Sequence, residues 1–199
     1  MVYRLRKALL ILLIVSILIL TWYFRLPSGD NHAETVPHLF KPLGRERALI
    51  TTVGQGPEGL IVAKMADELK IRNYYRYKAE AIDVEGYGSL LVAVGYSDMG
   101  MLSSRISWGE EKQRALELVK AAKKQRIPVI LLHLGGRSRR GHKNDELINM
   151  LAPHADYMIV LRNGNRDGFF SRIAKENQIP ITVVRDMEAV KIPLNSVYR

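Results

Sequence analysis

Three arginines within four residues carry the strongest chemical signal in this chain: Arg137, Arg139 and Arg140, in Gly135-Gly136-Arg137-Ser138-Arg139-Arg140-Gly141. A planar guanidinium donates two parallel N–H bonds to a carboxylate or phosphate, so a glycine-flexed loop of this kind suits an anion. The competing reading is a solvated basic loop, or arginines paired with nearby acids such as Asp145 and Glu146. A second turn, Asn163-Gly164-Asn165-Arg166-Asp167-Gly168, adds Arg166 flanked by Asn163 and Asn165. Asn and Gly are also ordinary turn formers, since both tolerate left-handed backbone.

A third turn, Gly54-Gln55-Gly56-Pro57-Glu58-Gly59, satisfies G-x-G-x-x-G through Gly54, Gly56 and Gly59, after an apolar run and before a helical pattern. Unpaired N–H groups and the positive end of a helix dipole meet at such a junction. Gln55 and the backbone of this turn are therefore candidate contacts for an anion. A dinucleotide is the more specific reading, with Glu80 or Asp83 near the spacing of a ribose-binding acid. Pro57 removes one N–H from that cradle, and no Gly-Lys-Ser/Thr follows, so this is not a Walker loop. A simpler anion, or a purely structural turn, ranks above a dinucleotide, and no cofactor is expected.

Other reaction chemistries find little support. The chain has no cysteine, which removes disulfides, thiolate nucleophiles and thiolate zinc sites. His133, His142 and His154 form no His–Glu pair at helical spacing or other metal-ligand cluster. Ser97, in Gly95-Tyr96-Ser97-Asp98-Met99, sits on a strand-to-helix turn, but a hydrolase elbow needs glycine where Met99 stands. No catalytic residue is assigned. Tyr74, Tyr75 and Tyr77 beside Arg72 and Arg76 could stack on bases, although such a run more often covers an apolar edge, and nucleic acid is not expected as a partner.

The elements that must position these loops follow from the apolar pattern. Short buried runs at 48–53, 89–94, 128–134, 157–161 and 179–184 read as strands, with helices opening after Gly56 and over 110–126, 144–151 and 169–178. A weaker strand is expected over 78–84. Only Glu85-Gly86-Tyr87-Gly88 separates it from the run 89–94, too few residues for a parallel crossover, so these two are expected to form an antiparallel hairpin. The fold class is α/β: a Rossmann-like three-layer sandwich whose mostly parallel sheet contains one antiparallel strand. In parallel strands the glycine turns gather on the carboxyl edge of the sheet, where open α/β folds bind ligands.

Upstream of that domain lies an almost unbroken apolar segment, 8–24, preceded by Arg4, Arg6 and Lys7 and ending in Trp22-Tyr23-Phe24. This pattern reads as a transmembrane signal anchor, with 1–7 cytoplasmic, a Pro- and Gly-bearing linker over 25–47, and the 48–199 domain on the extracytoplasmic side. A cleaved signal peptide is the lesser alternative, disfavoured by bulky aromatics where small residues belong. The formal charge of +10 owes four units to Arg4, Arg6, Lys7 and Arg25, so the rest of the 199-residue chain is only moderately basic.

The motifs Gly54-Gln55-Gly56-Pro57-Glu58, Leu132-His133-Leu134-Gly135-Gly136-Arg137-Ser138-Arg139-Arg140-Gly141 and Asn163-Gly164-Asn165-Arg166-Asp167-Gly168-Phe169-Phe170 resemble, in this order, a bacterial family known as a domain of unknown function. The resemblance implies a small α/β domain that is exported or membrane-anchored, and supplies no reaction. The leading expectation is non-catalytic binding of a small anionic ligand by the Gly54–Gly59 turn, Gly135, Gly136, Arg137, Arg139, Arg140, Asn163, Asn165 and Arg166. Two alternatives stand beside it: a hydrolase or transferase acting on an anionic or phosphorylated substrate, and a scaffold component of a cell-envelope complex with a protein partner.

Overall fold

A computed structural model describes residues 15, 16 and 38–199. Six strands form one sheet: β1 (Ala48–Val53), β2 (Asn73–Tyr75), β3 (Ser89–Val94), β4 (Val129–His133), β5 (Tyr157–Leu161) and β6 (Ile181–Val184). Their spatial order is β2-β1-β3-β4-β5-β6, and every adjacent pair is parallel. Six α-helices connect or follow them: α1 (Glu58–Glu68), α2 (Asp98–Ser103), α3 (Trp108–Lys124), α4 (His142–Leu151), α5 (Phe169–Glu176) and α6 (Lys191–Ser196).

The strand alternation sorts side chains into two cores. Leu49, Leu90, Val92, Leu131 and Met158 pack with Leu118, Leu147 and Phe170 of α3, α4 and α5. Their neighbours Ile50, Leu91, Ile130 and Ile159 point the other way, onto Val62 and Met65 of α1 and Leu194 of α6. Because both faces of a parallel sheet are covered, its strands read as continuous apolar runs and not as an alternating pattern.

The expected antiparallel hairpin does not form. Residues 78–84 are not a strand: Ala81–Val84 is a 3-10 turn capped by Glu80, and strand pairing occurs earlier, at Asn73–Tyr75, which lies parallel to β1. Moving the strand upstream frees residues 76–88 for a crossover long enough to return parallel. The polar tyrosine stretch was therefore the edge strand itself, which needs little apolar character because only one side is paired. The stretch around Met99 and Met101 is the short helix α2, capped by the Ser97 hydroxyl accepting from Gly100 N–H at 3.1 Å.

Helices here stop without glycine. Lys70, Arg105, Arg126 and Gln178 adopt positive φ, between 49° and 58°, and each is followed by an isoleucine. Ile71, Ile106, Ile127 and Ile179 donate their N–H groups back to Met101 or to Ala66, Ala122 and Ala174. This is a left-handed helix terminus in which the isoleucine closes the end and, in three of the four cases, enters the core. The polar left-handed residue costs some strain, which the buried isoleucine offsets.

One ion pair ties the crossover to the sheet. Glu111 and Arg114, both buried on α3, meet through two contacts of 2.8 Å. Arg114 also donates to the carbonyls of Ala79 at 2.5 Å and Thr52 at 2.9 Å. Glu111 accepts from Gly54 N–H at 2.7 Å and from the Gln55 amide at 3.0 and 3.1 Å. A single pair thus joins α3, β1, the turn after β1 and the crossover before β3.

The expected anchor, 8–24, lies outside the described residues apart from Val15 and Ser16, and no helix among the described residues is long and apolar enough to cross a membrane. From Leu39 onward the chain is bonded to the domain: Leu43 and Gly44 N–H groups reach the Val197 carbonyl, and Leu39 N–H reaches the Ser196 hydroxyl.

Removing one partner from a buried ion pair leaves an uncompensated charge, at a cost of roughly 3–5 kcal/mol. Arg114→Met should lower unfolding stability by about that amount, whereas Glu111→Gln combined with Arg114→Met should recover a substantial part of it in the same denaturant titration.

Candidate functional site

The order β2-β1-β3 places a topological switch point between β1 and β3, beyond whose carboxyl ends open α/β folds have their ligand crevice. The turns after β1, β3, β4 and β5 all lie on this edge, because the strands are parallel and adjacent.

The turn after β1 is closed on itself. Gln55 sits at φ 59° and forms an isolated bridge with Tyr96, and Gly56 N–H donates to the Gly95 carbonyl at 2.8 Å. The Gly54 N–H and the Gln55 side-chain amide are spent on Glu111, and Gln55 Oε1 accepts from Ser104 Oγ at 2.8 Å. The Gly54 and Gly56 N–H groups and the Gln55 amide, all expected to meet an anion, therefore serve the fold. Gly59 backs directly onto β1 and the Tyr75 ring, so its lack of a side chain is a packing requirement.

What fills the crevice is Glu58, the first residue of α1. It is 3% exposed. A Cβ on Gly56 or on Gly95 would collide with its carboxylate. Glu58 Oε1 lies 3.1 Å from Arg139 Nε. Glu58 Oε2 has no hydrogen-bond partner. Burial, and secondarily the nearby Glu58 charge, push the Tyr75 phenol above its ordinary range.

The arginine loop divides into three kinds of residue. Arg140 is structural: it contacts both oxygens of Asp145 at 2.7 and 2.9 Å and both of Asp167 at 3.0 and 3.1 Å, and donates to the Gly164 carbonyl at 2.7 Å. Its guanidinium lies over the Phe169 ring, 4.1 Å from the centroid. These bonds hold the Asp167 carboxyl down to about 2 and raise Arg140 above its usual value. Arg139 reaches across the sheet: its stem lies on Gly135, where a Cβ would collide with it, and its Nη1 donates to the Tyr96 carbonyl at 2.7 Å on the way to Glu58. Arg137 and Arg166 are exposed, and neither side chain makes an ion pair or hydrogen bond among the described residues.

Asn163 and Asn165 act on backbone. Asn163 Oδ1 accepts from Arg137 N–H at 2.6 Å, and Gly164 packs on Gly136, which itself sits at φ 57°. Asn165 Oδ1 accepts from the Phe170 and Ser171 N–H groups and so caps α5. Asn144 accepts from Tyr96 N–H at 2.7 Å, and α4, expected over 144–151, begins two residues earlier, at His142. Tyr96 is ringed in turn: its hydroxyl donates to Asp98 and accepts from Lys143, whose ammonium lies 4.0 Å over the same ring. The Tyr96 hydrogen bond lowers the Asp98 carboxyl, and the one from Lys143 to Tyr96 raises the Lys143 ammonium.

Glu58, Glu111, Arg114 and Tyr96 were not singled out by the sequence reading. A signal for two of them existed. Glu111 and Arg114 extend the buried stripe of Ala115, Leu118 and Ala122 toward the start of α3, so two charges occupy positions whose periodicity demands core.

His133 lies beneath the joined turns, buried against Phe170 with ring centroids 4.9 Å apart. Its Nδ1 is 3.3 Å from the Val94 carbonyl and its Nε2 is 3.3 Å from the Gly136 carbonyl. A neutral imidazole has one N–H and can serve only one of them. Burial lowers its pKa below the ordinary 6.5, opposed by those two carbonyls and by Asp145, and assisted by Arg140. A lowered folded-state value means that the unfolded chain binds the proton more readily. Stability contributed by neutral His133 should therefore be present above about pH 6.5 and be lost as pH falls toward the folded-state value. The unfolding midpoint of His133→Gln should fall less steeply over that window than that of the unaltered chain, and a ring resonance of His133 titrating above 6.5 would contradict this.

No curated protein matches the chain. Among solved structures, AlinE4, described as an SGNH-hydrolase family esterase, and a mutant of that esterase each align at 10% identity over 75% of this chain and 77% of theirs, with a TM-score of 0.27. At that score the likeness carries nothing about reaction or site. The three glycine-bearing motifs lie within residues 45–198, which match the model of a domain of unknown function, DUF6305, and the chain belongs to that family.

Proposed function

We propose that this chain is a non-catalytic binding domain for a small anionic ligand, recognised at the carboxyl edge of the sheet and displayed outside the cytoplasmic membrane by the apolar segment 8–24. The observation that carries the reading is the contrast among the arginines of one edge. Arg140 is bound to two carboxylates and a carbonyl, whereas Arg137 and Arg166, on turns packed against each other through Gly136 and Gly164, have exposed guanidiniums with no partner among the described residues. Arg139, between them and the switch point, is 33% exposed. Cations held on rigid turns and left uncommitted suit charge-assisted bidentate bonds to a carboxylate or phosphate. The residues with the clearest ligand role are accordingly Arg137, Arg139 and Arg166, while Asn163, Asn165, Gly135, Gly136 and Arg140 shape the loops that present them.

The apolar segment with its basic start supports the tethered arrangement, because positive charge before a span keeps that end in the cytoplasm.

Thermal unfolding of the full chain in mild detergent, against phosphates, carboxylates, nucleotides and acidic sugars, tests the reading. A ligand at 100 times its dissociation constant adds about 2.7 kcal/mol, a readily seen shift in midpoint. Arg137→Ala with Arg166→Ala should remove that shift and leave ligand-free stability within about 0.5 kcal/mol, as for exposed side chains. Arg140→Ala should behave oppositely, costing roughly 1–3 kcal/mol without ligand because Asp145 and Asp167 lose their shared donor. An anion shift that survives the Arg137/Arg166 double change would sink the assignment.

A further inference from the structure

Glu58 is a buried carboxylate that the arginine loop meets at only one of its two oxygens. Two separate turns omit a side chain to make room for it, at Gly56 and at Gly95. The space they leave lies between the carboxyl ends of β1 and β3, at the positive end of the α1 dipole. In open α/β sheets that is where ligands bind. A carboxylate therefore already occupies the crevice, placed on a guanidinium, and it is the chain's own.

It is held unevenly. Oε1 has Arg139 Nε at 3.1 Å, whereas Oε2 has no hydrogen-bond partner and rests against the two glycines. Contacts to glycine Cα–H groups are weak substitutes for an N–H donor. Buried polar atoms are nearly always paired, so Oε2 forgoes a bond that would otherwise help hold the carboxylate in place. Glu58 is also the first residue of α1, where a change of side-chain rotamer toward solvent breaks no backbone bond of the helix.

Building on the anion-binding reading above, we propose that this space is a carboxylate seat, that Glu58 is its internal occupant, and that the ligand is a small organic carboxylate which replaces Glu58 on Arg139. The class follows from the seat: two glycine Cα atoms and a guanidinium enclose a planar two-oxygen group, and a tetrahedral phosphate is thicker than the space Glu58 fills. Arg139 is suited to the exchange because its Nη1 stays anchored on the Tyr96 carbonyl while its Nε changes partner. Arg137 and Arg166 then draw the ligand to the edge, and Arg139 receives its carboxylate.

The test is a titration of the full chain in mild detergent with acetate, and separately with inorganic phosphate, at constant ionic strength. It follows the Arg139 Nε–H resonance, identified by its disappearance in Arg139→Lys. Acetate should move that resonance saturably, and Glu58→Gln, which keeps the shape and removes the competing charge, should bind acetate at least tenfold more tightly than the unaltered chain. Phosphate should leave the resonance in place. Equal or weaker acetate binding by Glu58→Gln overturns the proposal, as does a phosphate response matching that of acetate. Should Glu58→Gln fail to fold, the resonance in the unaltered chain still decides: no movement with acetate overturns the seat. If anions stabilise the chain through Arg137 and Arg166 while Arg139 stays unmoved, the seat falls and the broader reading stands. If no anion does either, both fall.

Discussion

The architecture of the functional edge hangs on one buried ion pair. Glu111 and Arg114 sit where α3 would otherwise present apolar side chains, and together they take up two backbone carbonyls, one backbone N–H and one amide side chain. Ion pairs of this kind contribute little net stability over a well-packed apolar replacement, since desolvation consumes most of the Coulomb gain. Their contribution is geometrical. The end of β1 with its turn and the crossover before β3 both meet this pair through backbone groups that would otherwise be orphaned there. An apolar substitute could fill the volume but could not satisfy those groups.

With that turn fixed, the rest of the edge follows as a chain of dependencies. Gln55 is held at positive φ, its backbone bridges Tyr96, and Tyr96 in turn is held by Asn144 from α4. Arg139 reads the same strand end from the other side, through the Tyr96 carbonyl. Arg140 ties the turn after β4 to the one after β5 by way of Asp145 and Asp167. Polar contacts this dense on a sheet edge resist rearrangement as a unit, which makes the few uncommitted groups conspicuous.

Much of this fold was legible because buried parallel strands and amphipathic helices leave strong periodic marks. The runs at 89–94 and 157–161 are strands within the limits expected, and the helix expected over 110–126 is α3, Trp108–Lys124. The exceptions share a cause. The edge strand Asn73–Tyr75 is short and polar, since one of its sides pairs with nothing, and its tyrosines signal an edge more than a core. Locating the strand too late then made the connection to β3 look too short, and the hairpin followed from that single displacement. The site was legible by location, because glycine turns after parallel strands must share an edge. The roles within it were not, because sequence spacing cannot say which of Arg137, Arg139 and Arg140 meets Asp145, Asp167 or Glu58. Those pairings depend on turns brought together by strand order.

Such a distribution of arginines has a physical logic. Each guanidinium on a crowded edge is either neutralised locally, where it rigidifies a loop, or left bare, where it raises the local potential. Arg140 belongs to the first kind, and Arg137 and Arg166 to the second. Arg139 is intermediate: one of its nitrogens is fixed to backbone and another faces a carboxylate that is itself incompletely satisfied. A pair balanced in this way lies between a permanent strut and an open site, because neither partner has its full complement of bonds without the other and one partner still lacks a donor. The Glu58 carboxylate fills the space between the two glycines. In the exchange proposed above, a space already shaped to a carboxylate lowers what the incoming one would spend on ordering the site, at the cost of a competitor that must be moved aside.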